Sequence, residues 1–159
     1  ISEYLKTVNI QPFDTELNTL LDTMKTAPDS EAAKEQLQTV NETIEKAIAA
    51  IPAAERESPD FMVGVILKLL RTAADEYQGS IVDGQFAEVI EYQDSRGFVI
   101  YANQLFQTIS PQLDATQREQ FEAAFTELLR VWPSVNPPEK PIVEPGEVSA
   151  IVSKLELSR

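Results

Sequence analysis

The chain contains no cysteine and no histidine. Without thiols there is no disulfide framework and no thiolate nucleophile. Without imidazole, the usual group for acid–base work near neutral pH is missing. The two absences also exclude every zinc or haem site built on those ligands. Any metal must be held by oxygen, from carboxylate, phenolate, amide carbonyl or water. The five glycines form no phosphate-cradling loop, and neither an EF-hand pattern nor a serine nucleophile elbow is present. No apolar run reaches the ~18 residues that would read as a transmembrane span.

Positive charge is scarce. Thirteen Lys and Arg face 26 Asp and Glu, a formal net charge of −13. Such a surface repels phosphate backbones and anionic headgroups, so nucleic acid is not an expected partner. Cations and basic protein surfaces are favoured instead. The length of 159 residues suits one helical domain over 1–159.

Helix signals cover most of the chain. Asp14 reads as an N-cap, followed by Leu17, Leu20, Leu21 and Met24 at helical spacing. Ser30 opens a helix to about Ile51, with Ala33, Leu37, Val40, Ile44, Ala47, Ile48 and Ile51 as one buried stripe. Ser58-Pro59-Asp60 starts another, running to about Gln78. Asp83-Gly84 marks a turn, after which a helix is expected from about Gln85 to Ile109. Asp114 with Gln117 reads as a capping box for a helix to about Val131. The prolines at 133, 137, 138, 141 and 145 predict an extended segment over about 133–146, and Glu147 to Glu156 reads as a short last helix. The expected fold is all-α: an antiparallel bundle of four main helices with short terminal helical segments.

Polar residues on an otherwise apolar stripe draw attention to the central hairpin. Ala87, Glu91, Asp94, Phe98, Tyr101 and Leu105 share one helical face, as do Phe61, Val65, Leu69, Thr72 and Glu76 on the preceding helix. Folding the hairpin at Asp83 brings Glu76 and Glu91 to one level, with Asp94 a turn further in and Tyr77 and Tyr92 beside them. Three carboxylates and two phenols are thus expected inside one end of the bundle. A hard cation bound by oxygen would offset their repulsion. A structural network is the competing reading, with Arg96, Lys68 or Arg71 pairing the acids and the phenols donating to carboxylates. Gly97, inside a helix, is read as a close-packing position.

The stretch Asp75-Glu76-Tyr77-Gln78-Gly79-Ser80-Ile81-Val82-Asp83-Gly84, followed by Glu91-Tyr92-Gln93-Asp94-Ser95-Arg96-Gly97-Phe98, resembles a helical extracytoplasmic domain of bacterial proteins of the high-affinity iron permease type. The resemblance covers roughly residues 73–106 and rests on a Glu-Tyr segment ending in Asp-Gly, then a Glu-Tyr-x-Asp segment. Where several relatives continue Glu-Tyr-x-Glu-Met, this chain departs with Gln93-Asp94-Ser95-Arg96-Gly97. The permease's membrane-embedded Arg-Glu-x-x-Glu motif is read as absent, because no membrane segment is present. The resemblance implies a periplasmic or otherwise extracytoplasmic domain acting in iron uptake, with Glu76, Tyr77, Asp83, Glu91, Tyr92 and Asp94 as carried-over site residues. It also implies a membrane permease subunit or domain as partner.

The expected function is therefore a non-catalytic extracytoplasmic domain that binds or presents a metal cation, iron foremost, through Glu76, Tyr77, Asp83, Glu91, Tyr92 and Asp94. The alternative is a ligand-free interaction module of a membrane transport or envelope assembly. An enzyme dividing acid and base roles between Glu91 and Asp94 finds no further support in the sequence.

Overall fold

Ser58 caps its helix as the sequence predicts: its hydroxyl accepts from the Phe61 backbone N–H at 3.2 Å, and Pro59 follows at the first helical position. Ser30 and Asp114 cap in the same way, accepting from the N–H groups of Ala33 and Gln117 at 3.1 and 2.9 Å. Asp14 does not. It lies inside its helix, and Phe13 occupies the cap position without a side-chain cap hydrogen bond.

The computed structural model describes residues 5–6 and 10–157. Helices α1 (Asp14–Thr26), α2 (Glu31–Ala49) and the single turn α3 (Ala53–Arg56) precede α4 (Pro59–Gly79). Strands β1 (Ile81–Val82) and β2 (Gln85–Phe86) form an antiparallel ribbon before α5 (Val89–Ile109). A 3-10 turn (Ser110–Gln112), α6 (Ala115–Leu128) and α7 (Pro145–Leu157) complete the order. The all-α expectation is borne out. No described helix is long and apolar enough to cross a membrane.

Backbone contacts gather the chain into two units, residues 1–56 and 57–159, where the sequence reading treats 1–159 as one domain. In the first unit α1 packs on α2. The predicted α2 stripe is only partly covered: Ala33 and Val40 are buried, but Leu37, Ile44 and Ile48 are exposed. Two helices offer too little surface to bury a stripe that wide.

The second unit is a closed set of four helices. α4 packs on α5 and α7, α7 packs on α6, and α6 touches α5. Its fourth helix is therefore the short C-terminal one, not the long helix over 31–49 that the sequence pattern suggests. Val63, Ile66 and Leu70 of α4 face Val99, Ala102 and Phe106 of α5, with Phe125 and Leu128 of α6 and Val148 and Val152 of α7 in the same core. Phe106 stacks on Phe121 and Phe125 at centroid distances of 5.5 and 5.4 Å. Arg71 of α4 donates to Glu156 of α7 through Nε (3.0 Å) and Nη2 (2.5 Å), so its charge is paired with the neighbouring helix and not with Glu76.

The α4–α5 connection differs from the expected long helix beginning at Gln85. Asp83 and Gly84 have φ of 52° and 74°. Positive φ at both central residues is the signature of a type I′ hairpin turn, which Asp-Gly favours. The ribbon it closes has two residues on each side. That is too short for an alternating pattern to show in sequence.

Gly97 is exposed, and a Cβ built on it meets nothing within 4 Å, so it makes no close approach. Gly97→Ala should then stabilise the protein by about 1 kcal/mol, the helix-propensity difference alone. A rightward shift of the urea midpoint with unchanged slope would bear this out. A leftward shift would mean that Gly97 faces an obstacle.

Candidate functional site at the hairpin end

Ser80, the residue that caps the end of α4, is fully buried. Its N–H bonds back to the Glu76 carbonyl at 2.9 Å, and its hydroxyl donates to the Tyr77 carbonyl at 2.7 Å. The Ser80 carbonyl in turn accepts from the N–H groups of Ala87 (2.9 Å) and Glu88 (3.2 Å). One residue thus ties together the end of α4, the ribbon and the start of α5. This junction fixes Glu91, in the first turn of α5, over Gly79 in the last turn of α4. A Cβ on Gly79 would lie 2.5 Å from Glu91 Oε2, so the carboxylate occupies the place a side chain would fill.

The buried stripes run one residue away from those predicted. On α5 they are Tyr92, Ser95, Val99, Ala102, Phe106 and Ile109, and on α4 they include Val63, Ile66, Leu70, Ala73 and Tyr77. Adjacent stripes on both helices carry similar apolar content, and the tyrosines tip the balance because each ring buries more area than its neighbours. The carboxylates consequently sit around the rim of the hairpin end and not inside it. Glu76 and Glu91 are half-buried, and Asp83 and Asp94 are exposed. Among the described residues, no group of three or more Asp or Glu is placed to hold a metal ion by itself.

The two phenols point inward and are engaged. Tyr77 donates to the Val143 carbonyl at 2.8 Å, and Tyr92 to the Ser134 carbonyl at 3.0 Å. Gln93 adds a longer bond to the Val135 carbonyl, at 3.4 Å. These acceptors all belong to the proline-rich strap between α6 and α7, which has neither helix nor strand. A strap rich in proline has few N–H groups of its own, so its carbonyls are satisfied from the bundle. Tyr77, Phe86, Tyr92 and Trp132 form an edge-to-face box: Tyr77 meets Trp132 at 5.1 Å, and Phe86 meets Tyr92 at 4.8 Å. The Trp132 indole donates to the buried Ser95 hydroxyl at 2.7 Å. Burial pushes the Tyr77 phenol from 10.0 up to about 12. Burial also raises Tyr92, against the pull of the nearby Arg96 guanidinium.

Of the six candidate residues, then, Tyr77 and Tyr92 lie beneath the hairpin end as anchors of the strap. Glu76, Asp83, Glu91 and Asp94 lie around its surface. Neither Glu76, Asp83, Glu91 nor Asp94 makes a hydrogen bond or ion pair through its side chain with a described residue. Between Arg71 and Arg96 the chain has six acids (Asp75, Glu76, Asp83, Glu88, Glu91 and Asp94) and no Lys or Arg. The Arg-Glu-x-x-Glu pattern, read as absent with the membrane segment, does occur as a string of residues, Arg118-Glu119-Gln120-Phe121-Glu122. It lies on α6, where Phe121 is buried in the core and Glu119 and Glu122 are exposed.

The family model of the iron permease-associated 4-helix bundle domain matches residues 52–158, which takes in all four helices of the second unit. No curated protein and no solved structure matches the chain.

Proposed function

The chain belongs to the iron permease-associated 4-helix bundle family, and from that footing we propose that it serves iron uptake as an extracytoplasmic, non-catalytic domain, presenting an iron cation from the open carboxylates of the hairpin end to a membrane permease subunit or domain.

The position of Glu91 carries this reading. Its half-buried carboxylate rests on the last turn of α4, which contains no basic residue. The C-terminal end of a helix is its negative pole, where a carboxylate is disfavoured and a cation favoured. With no cationic side chain between Arg71 and Arg96, an exogenous cation is the natural counter-charge. Glu91 would be the principal ligand, with Glu76 beside the same helix end. Asp83 and Asp94 raise the local cation concentration from the surface. An oxygen-only donor set suits hard cations, ferric iron included. The phenols are left out of the ligand set, because both are held protonated on strap carbonyls.

A second reading draws on that same engagement. If the acidic-aromatic motif exists to fasten the strap, the domain is an interaction module without a ligand. Thermal unfolding of chelator-stripped protein separates the two. Under the cation reading, ferrous or ferric ion raises the midpoint in a concentration-dependent way. The rise disappears in Glu91→Gln and persists in Glu119→Gln/Glu122→Gln. Gly79→Ala, which pushes the Glu91 carboxylate aside, weakens it. If no ion moves the midpoint of the parent protein, the module reading stands.

A further inference from the structure

Arg96 sits on α5 one residue beyond the Ser95 that anchors Trp132 and five residues beyond Glu91. Its guanidinium Nε is buried and has no hydrogen-bond partner. Although the chain holds 26 acids, no described carboxylate pairs with Arg96. The side chain borders a pocket of about 80 Å³ whose remaining walls are Val99, Ile100, Leu129 and Trp132. The Trp132 N–H is already bonded to Ser95, so the indole contributes only an apolar face here.

We propose that this pocket is a recognition site for a carboxylate group. A buried N–H donor without an acceptor is costly, and the guanidinium fork matches the two oxygens of a carboxylate. The volume corresponds to about two or three waters at ~30 Å³ each. It has room for a carboxylate with one or two attached carbons. The apolar walls lower the local dielectric beside the guanidinium and so strengthen the ion pair. The acceptor comes either from a small free carboxylate or from an Asp or Glu side chain of a partner protein. The site is independent of the iron reading and shares no residue with it.

The test is a titration followed by the side-chain N–H signals of Arg96 and Trp132 in NMR at constant ionic strength. Acetate and propionate represent the free source. A short peptide with blocked ends and a single Glu represents the protein source. Sodium chloride and acetamide are the controls for charge and shape. Saturable shifts with acetate or propionate identify a small-carboxylate site, and saturation at least tenfold tighter with the peptide identifies a partner's side chain. Arg96→Lys keeps the charge but not the fork, and should weaken either ligand at least tenfold. Arg96→Gln should abolish saturation. The proposal is overturned if neither ligand saturates, if chloride or acetamide matches them, or if Arg96→Gln binds as the parent does. Should Arg96→Gln fail to fold, the parent titration against the two controls decides alone.

Discussion

Trp132→Ala is expected to destabilise the protein by about 3–5 kcal/mol, the usual range for emptying a buried aromatic site. The residue lies at the point where α6 gives way to the strap, and it is 5% exposed. Its ring meets Tyr77 edge-to-face at 5.1 Å, and its N–H is the donor that satisfies the buried Ser95 hydroxyl. Truncation would open a cavity, remove an aromatic pair and leave Ser95 Oγ without that donor. Trp132→Phe keeps most of the apolar volume and loses the indole N–H, so it should cost distinctly less. Urea unfolding of the three proteins checks this. Equal losses for Ala and Phe would mean that the hydrogen bond dominates over the packing.

The second large effect is a loss of stability in alkali. Tyr77 is held protonated up to about pH 12 in the folded protein against 10.0 in the open chain. The unfolded chain therefore releases its proton first. The contribution of this phenol is fully present below pH 10, and is lost progressively as pH rises from 10 towards 12. A phenol that stays protonated in the fold while titrating in the unfolded chain costs up to about 1.4 kcal/mol per pH unit across that window. Tyr92 shifts in the same direction and adds to the loss. Tyr77→Phe should flatten the fall above pH 10 and cost about 1 kcal/mol at pH 7 through the lost bond to Val143. Urea midpoints at pH 7, 10 and 11 would show it. A parent protein as stable at pH 11 as at pH 7 would contradict the buried placement of the phenols.

Which features were legible in the sequence follows from the range of the interactions involved. Ser30, Ser58 and Asp114 bond to backbone three residues away, so their caps can be read directly. The Asp83-Gly84 turn is local as well. The choice between adjacent helical stripes is not. It depends on which side chains find partners across the bundle, and Tyr77 and Tyr92 find theirs on a strap 66 and 42 residues further on. Backbone carbonyls leave no trace in a sequence, so these phenols read as donors to carboxylates or as metal ligands. The same limit hid the role of the last helix. Pro145–Leu157 is short, but it closes the bundle against α4 and α6, while the longer α2 belongs to the other unit. The family resemblance at residues 73–106 falls within the matched span of 52–158.

Iron binding at Glu91 is tested most directly by calorimetric titration of the chelator-stripped chain with ferrous ion under argon, in parent and Glu91→Gln forms. The predicted result is a saturating event in the parent that is lost or weakened at least tenfold in the variant, both proteins unfolding at the same temperature without metal. Identical isotherms for the two proteins, or no saturable heat in the parent, would contradict it.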